Sequence, residues 1–266
     1  DDGDFNDGWK ATDKTGWPSV SDEDKKVAYD SIVVTLLQIV AMLTVEQGSE
    51  AWLRARFFRI GASVMLLFMG LSDKGSVWAA FASILGVAYI APSTQFMFDY
   101  GHRMESTCDK MSQAEYVRVM DARYAAWVAG EKAGPPCRKV ERVEVHHEGT
   151  LIWQAHPMIS ASIDGCWFVH FTDGTFDVFL AEYKCTQARG GYGGVVFSEY
   201  FVQMQQQLTI FEESKHLDYL LAARGLSTAN LVPGWEWRCL FSVFAKPEHA
   251  ITQMMFVRHE KGRYMK

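Results

Sequence analysis

Cysteine is scarce in this sequence, and a basic excess is missing. The five cysteines among 266 residues (Cys108, Cys137, Cys166, Cys185 and Cys239) are odd in number, and no two stand at C-x-x-C spacing. That disfavours a disulfide framework, a structural zinc site and an iron–sulfur cluster, each of which needs several well-spaced thiolates. A reducing compartment is the expectation. Long apolar runs are also lacking. Ile32–Val45 and Val77–Ala91 come nearest, but both fall short of the ~20 apolar residues that a spanning helix needs. With no basic segment opening the sequence, the expectation is a cytoplasmic protein without a membrane partner.

The missing basic excess excludes less. Lys and Arg total 26 against 32 Asp and Glu, for a net charge of −6, which at first sight argues against a nucleic-acid partner. Residues 1–26 alone hold seven Asp, one Glu and four Lys, a net of −4, so the other 240 residues carry 22 basic and 24 acidic side chains. The body is near neutral. Its composition, 48% hydrophobic and 22% charged, is that of a globular protein with ample material for a core.

Residues 1–26 read as an acidic, flexible tail and 27–266 as a single domain: a helical part over about 27–130, then a sheet-bearing core over about 138–266. Ser21 with Asp24 three positions on forms a capping box for a helix over Asp24–Leu43. Further helices are expected over Glu50–Leu67 (broken near Gly61), Val77–Val87, Met104–Trp127 and Ser198–Phe211. β-Rich runs separated by turn residues cover Val140–His147, Thr150–Ala155, Gly165–Phe171, Phe176–Lys184, Arg238–Ala245 and Ile251–His259. No internal repeat is present. Helices, a mixed central sheet, a helix and more strands make an α/β or α+β fold.

The chemistry concentrates between Ser160 and Lys184. Asp173-Gly174 between two alternating apolar runs predicts a hairpin with a two-residue turn. Thr172 then faces Thr175, Gly165 faces Glu182, and Asp164 stands one step away diagonally. Glu182 and Lys184, two apart on a strand, share a face. Two acids and a lysine therefore converge at one sheet end. Two unshielded carboxylates repel, and a divalent ion resolves the conflict, since Mg²⁺ takes one or two carboxylates and completes its shell with water and phosphate. Such an ion activates water for phosphodiester hydrolysis, while a lysine orients that water or offsets charge in the transition state. Taken alone, Asp…Glu-x-Lys is a weak pattern, and the same residues read first as solvated strand positions beside a turn. His146 and His147, adjacent on a strand, point to opposite faces and read as structural. Arg54, Arg56 and Arg59 form a small basic cluster on neighbouring helical turns, suited to a phosphate.

Ser162-Ile-Asp164-Gly followed by Glu182-Tyr-Lys184-Cys resembles the PD-(D/E)xK nuclease superfamily, and within it the lambda exonuclease or YqaJ-like phage recombination exonucleases. Four further segments match in order: Val45-Glu-Gln-Gly48 with Ala51-Trp52, Arg56, Ile60 and Ala62-Ser63; Gly101 with Glu105; Tyr200-Phe-Val-Gln203-Met-Gln205; and Phe244-Ala-Lys-Pro-Glu248 with Arg258-His-Glu-Lys261. The resemblance implies a restriction-endonuclease-like core and a metal-dependent 5′→3′ exonuclease that acts on double-stranded DNA ends, leaving 3′ overhangs for recombination. It implies Asp164, Glu182 and the Tyr183 backbone carbonyl as ligands of Mg²⁺ (Mn²⁺ as a substitute), Glu105 as a third carboxylate for a second ion, and Lys184 as the residue that positions water. Arg56, Ser63, Ser162 and Gln203 match positions that hold the terminal 5′-phosphate. A ring-shaped homotrimer, a single-strand-annealing partner and, for a phage or prophage protein, the cytoplasm of a bacterial host are implied too.

Departures from the pattern are Ile163 and Thr186, where the family commonly has proline, longer hairpin arms, and residues 212–237, which read as an insertion. The glycine-rich Arg189–Gly194 lacks the G-x-x-x-x-G-K-[ST] pattern of a phosphate-binding loop and reads as a plain connection or a strip beside DNA. Alternatives on the same residues are a structure- or sequence-selective endonuclease, and a catalytically silent DNA-binding or assembly protein.

Overall fold

Gly165–Phe171 (β5) and Phe176–Thr186 (β6) pair antiparallel at the centre of the protein. The structure is a computed structural model that describes residues 56, 59–69, 75–85, 92–131, 136–147, 149–186, 196–245 and 250–260. The expected tail over 1–26, the helix over Asp24–Leu43, the Val45–Trp52 motif, Arg54, the glycine-rich segment 190–194, and Lys246–Glu248 and Lys261 of the last motif lie outside these residues. Around the hairpin stand Val140–His146 (β2), Arg238–Ala245 (β7) and Ala250–Arg258 (β8), in the order β2-β5-β6-β7-β8. β6 and β7 run parallel while every other neighbour is antiparallel, so the sheet is mixed, as expected. A second sheet joins Ile60–Gly61 (β1), Thr150–Ile152 (β3) and Ile159–Ser162 (β4) in the order β1-β4-β3.

The central strands are covered on both faces, which is why they read as near-continuous apolar runs. Alternation sends Trp167, Val169, Phe171, Phe179, Ala181 and Tyr183 to one side, where they pack with Cys108 and Tyr116 of the helix Pro92–Val128 (α3). Cys166, Phe168, Val178 and Leu180 face the other way, against Met204, Leu208, Ile210 and Phe211 of Ser198–Glu213 (α4). Two short helices, Met65–Phe68 (α1) and Val77–Ile84 (α2), precede α3. The fold is thus α+β, a central mixed sheet flanked by helices. No described helix is both long and apolar enough to cross a membrane.

Several boundaries differ from those expected. The helix over Glu50–Leu67 is interrupted near Gly61, as expected, but the interruption takes the form of a strand, β1, and a 3₁₀ turn at Ala62–Val64, because Ile60 and Gly61 pair parallel with Ile159 and Ser160. α3 starts twelve residues before Met104, at Pro92, a residue whose fixed φ and missing N–H suit a first helical position. β4 was not expected. Thr150–Ala155 ends as a strand at Ile152, since a turn at Gln154–Ala155 folds the chain back on β4. Residues 212–237 hold the helix His216–Ala223 (α5), which buries Leu217, Leu220 and Leu221 in the core beneath α4.

The hairpin register is the difference that matters for function. The turn has three residues, Thr172–Gly174, closed by Phe171 and Thr175, with Gly174 at φ 81°. This is the three-residue loop with a left-handed glycine rather than the two-residue turn. Gly165 therefore faces Ala181, not Glu182. Continued by one step, the ladder sets Asp164 opposite Glu182, on the same face. A one-residue change in register moves a side chain to the other side of a sheet, so the extra loop residue is what brings the two acids together.

Candidate active site

The Asp164–Glu182–Lys184 group lies at the open end of the β5–β6 hairpin, on the face covered by α4. Glu182 is almost fully buried, at 1% exposure, and its carboxylate is held by three donors. Lys184 Nζ pairs with Oε1, Gln203 Nε2 donates to Oε1 at 2.7 Å, and Gln207 Nε2 donates to Oε2 at 2.7 Å. Gln207 also donates to the Ser162 carbonyl at 2.9 Å, tying β4 to the same point. Gln203 and Gln207 are four apart on one helix face, which is how a single helix grips both oxygens. Lys184 Nζ stands 5.1 Å from the Tyr200 ring centroid, one helical turn earlier on α4.

Asp164 is fixed differently. Its Oδ2 accepts the Tyr183 backbone N–H at 2.6 Å, and its carbonyl oxygen lies 2.8 Å from His147 Nδ1. Burial pushes the Asp164 carboxyl well above the usual carboxylate range, and the charges of Glu182 and Glu105 add to that, against Lys184 and the Tyr183 N–H. For Lys184, burial pulls downward, but Glu182 and Asp164 outweigh it and hold the ammonium above the ordinary lysine range. The lysine is a cation at neutral pH.

Glu105, half-buried on α3, is near enough for its charge to raise the Asp164 carboxyl, the smallest of the causes acting on it. Among the described residues, no three His, Cys, Asp or Glu side chains form a ready metal-binding group. The donor chemistry nevertheless suits one hard divalent cation. Two facing carboxylates have about four lone-pair sites each, protein donors occupy only some of these, and their mutual repulsion is what a cation relieves.

The expected phosphate residues divide. A Cβ on Gly61 would lie 3.5 Å from an Arg56 guanidinium nitrogen and 3.9 Å from Ser63 Oγ, so both side chains border the space that glycine leaves. Gly61 pairs parallel with Ser160 at the end of β1; Ser63 follows in the 3₁₀ turn, and Ser162, two residues on from Ser160 in β4, has a buried Oγ with no hydrogen-bond partner. Burial lowers the Arg56 pKa. Gln203 instead points its amide at Glu182. Arg59, expected in the basic cluster, is 2% exposed and donates through Nε to the Pro157 carbonyl at 2.9 Å; burial lowers its pKa to about 10. It anchors the loop before β4.

Gln207, which donates to Glu182, is not among the residues expected at the site, although its four-residue spacing from Gln203 puts both on one helix face. The support behind the sheet was not expected either. Trp167 Nε1 donates to Tyr183 Oη at 2.9 Å, and Tyr183 Oη donates to Asp109 Oδ1 at 2.7 Å. Tyr183 thus holds Asp164 through its N–H and α3 through its hydroxyl. Nearby, Cys108 Sγ of α3 and Cys185 Sγ of β6 are 3.6 Å apart. The hydrogen bond to Cys185, then burial, then Asp164 and Glu105 hold the Cys108 thiol well above its ordinary pKa.

No protein-family model matches this chain, and no curated protein matches it. Solved structures similar to it include two of an alkaline exonuclease. The crystal structure of an alkaline exonuclease (LHK-Exo) from Laribacter hongkongensis is 17% identical, covers 80% of this chain and 83% of that chain, and superposes with a TM-score of 0.43. The structure of LHK-Exo in complex with dAMP is 17% identical over the same shares, with a TM-score of 0.40.

Proposed function

We propose that this chain is a metal-dependent deoxyribonuclease that degrades double-stranded DNA from its ends in the 5′→3′ direction, leaving 3′ overhangs for recombination. The observation that carries this reading is the Asp164–Glu182–Lys184 group, a buried and a half-buried carboxylate with a lysine at one sheet end, and Glu182 gripped by Gln203 and Gln207. Asp164, Glu182 and the Tyr183 carbonyl would hold a Mg²⁺ ion (or Mn²⁺), and Glu105 would contribute to a second. When bound, the metal activates water and stabilises the leaving oxygen of the phosphodiester.

The chain's own residues supply the rest. Gln203 and Gln207 keep the Glu182 carboxylate in one orientation, and the Tyr183 N–H does the same for Asp164. Lys184 is a cation, so it positions the attacking water and offsets negative charge on the phosphate rather than taking a proton. Arg56 offers a bidentate fork to a terminal 5′-phosphate, and the Ser63 and Ser162 hydroxyls add donors without charge. A homotrimeric ring around DNA, an annealing-protein partner and a phage or prophage origin, with the bacterial cytoplasm as the compartment, belong to the same proposal.

Digestion of end-labelled linear duplex with Mg²⁺, with and without chelator, tests it. Release of label from the 5′ end, stopped by chelator, is the expected result; no degradation under any metal condition refutes it. Rapid cutting of a covalently closed circle would replace it with the endonuclease alternative.

A further inference from the structure

Cys108 and Cys185 stand apart from the catalytic proposal, on the opposite face of the sheet. Lys184 and Glu182 face α4, whereas Cys185 alternates to the α3 side and packs with Cys108 in the core behind the site. The two thiols belong to elements that each carry part of the acidic centre. Glu105 precedes Cys108 by three residues on α3, one turn along the same helix face, and Lys184 precedes Cys185 on β6. Their sulfur atoms are 3.6 Å apart, in residues 77 positions apart in sequence. A disulfide needs ~2.05 Å, so a closure of about 1.5 Å separates contact from bond. Cys108 is 1% exposed while Cys185 is half-buried at the end of its strand, which leaves Cys185 as the sulfur that a small oxidant reaches.

We propose that Cys108 and Cys185 form a reversible redox modification site whose disulfide ties the Glu105 turn of α3 to the Lys184 end of β6. The co-reactant is a low-molecular-weight disulfide such as oxidised glutathione. Cys185 sulfur attacks it, forming a Cys185–glutathione disulfide and releasing one glutathione thiol. Capping Cys185 removes its hydrogen bond to Cys108, and Cys108 sulfur, giving up its proton to the departing glutathione sulfur, displaces the second glutathione and forms the Cys108–Cys185 bond. Two protein thiols lose two electrons and two protons, and both pass to the two glutathione thiols released. Transient disulfides of this kind are the ones found in reducing compartments, so a sequence without a disulfide framework is consistent with the site.

The full chain, incubated with oxidised glutathione and alkylated, is mapped by mass spectrometry and by hydrogen exchange. The expected result is a Cys108 peptide joined to a Cys185 peptide, three of the five thiols left to alkylate, and slower exchange at Glu105–Asp109 and Tyr183–Thr186, all reversed by dithiothreitol. Cys108→Ser, checked for native folding by circular dichroism, should stop at a glutathione adduct on Cys185. All five thiols remaining free in the wild-type chain, a cross-link between other cysteines, or unchanged exchange in both segments overturns the proposal. These readouts need no nuclease activity. A chain that cross-links as described but, when reduced, cuts no DNA keeps the thiol site and loses the nuclease reading. If the reduced chain does cut, displacement of Glu105 on oxidation should slow it about tenfold or more.

Discussion

Asp164 accepts the backbone N–H of Tyr183 through Oδ2 at 2.6 Å, across the open end of the β5–β6 hairpin. That bond fixes the first carboxylate against the strand that carries the second. It forms because the three-residue loop at Thr172–Gly174 sets the ladder so that Gly165 faces Ala181 and Asp164 meets Glu182. A two-residue turn would have pointed Asp164 to the far side of the sheet.

Lys184→Ala removes the cation paired with Glu182. Hydrolysis of linear duplex should fall by about a hundredfold or more, while DNA binding, followed by fluorescence anisotropy, stays within about twofold of wild type because binding rests mainly on phosphate contacts elsewhere. Undiminished digestion by the variant would remove Lys184 from the mechanism.

Gln207→Leu keeps the volume of a fully buried side chain but withdraws the donors to Glu182 Oε2 and the Ser162 carbonyl. Loss of such a supporting bond costs about 10–100-fold in metal affinity or activity. The titration of activity against Mg²⁺ should shift to higher concentration; an unshifted curve means that Gln207 has only a packing role.

Gly165→Ala places a Cβ 2.9 Å from Val145 Cγ1. The Val145 side chain, β2 or the start of β5, next to Asp164, must shift to admit the methyl. Stability should drop by about 1–3 kcal/mol, measured by urea denaturation, and activity should drop with it. Adding Val145→Ala opens the space and should restore both. A Gly165→Ala variant with wild-type stability contradicts the steric reading.

Arg238 pairs with the buried Asp177, and its guanidinium lies 4.7 Å from the Phe256 ring centroid. Arg238→Ala leaves a carboxylate in an apolar site and should cost about 3 kcal/mol. Burial already pushes the Asp177 carboxyl up, with Arg238 opposing it, so the loss should be smaller at low pH, where Asp177 takes a proton. Arg238→Met with Asp177→Leu should recover most of the stability, because neither half of the pair is then buried alone.

His216 gives the protein an acid-sensitive element. Burial lowers its pKa from the ordinary 6.5 to about 4, against a backbone hydrogen bond to Ile152 that raises it. Between those values the unfolded chain binds a proton that the folded chain refuses. Stability from this residue is therefore complete above pH 6.5 and is lost as pH falls toward 4, by about 3 kcal/mol in all. Thermal unfolding of His216→Phe, a ring that keeps the packing on Phe211, should show a flatter pH dependence over that window; equal slopes would assign the acid sensitivity to other groups.

What the sequence determined by itself follows from short-range rules. Alternating apolar runs make strands and the Tyr200–Gln203–Gln207 spacing makes one helix face, since periodicity is set by backbone geometry alone. The Asp164, Glu182 and Lys184 candidates were legible for the same reason: a hairpin brings sequence neighbours together. What only the tertiary structure decided depends on distant elements meeting. A single loop residue chose the face of Asp164. The pairing of β1 with β4 turned an expected helix break near Gly61 into a strand and a 3₁₀ turn. Gln203 turned to Glu182 because α4 packs directly over that strand, and Cys108 met Cys185 because α3 covers the other side. Local pattern cannot report these contacts, because the energy that selects them comes from burying surfaces that are remote in the chain and become neighbours only on folding.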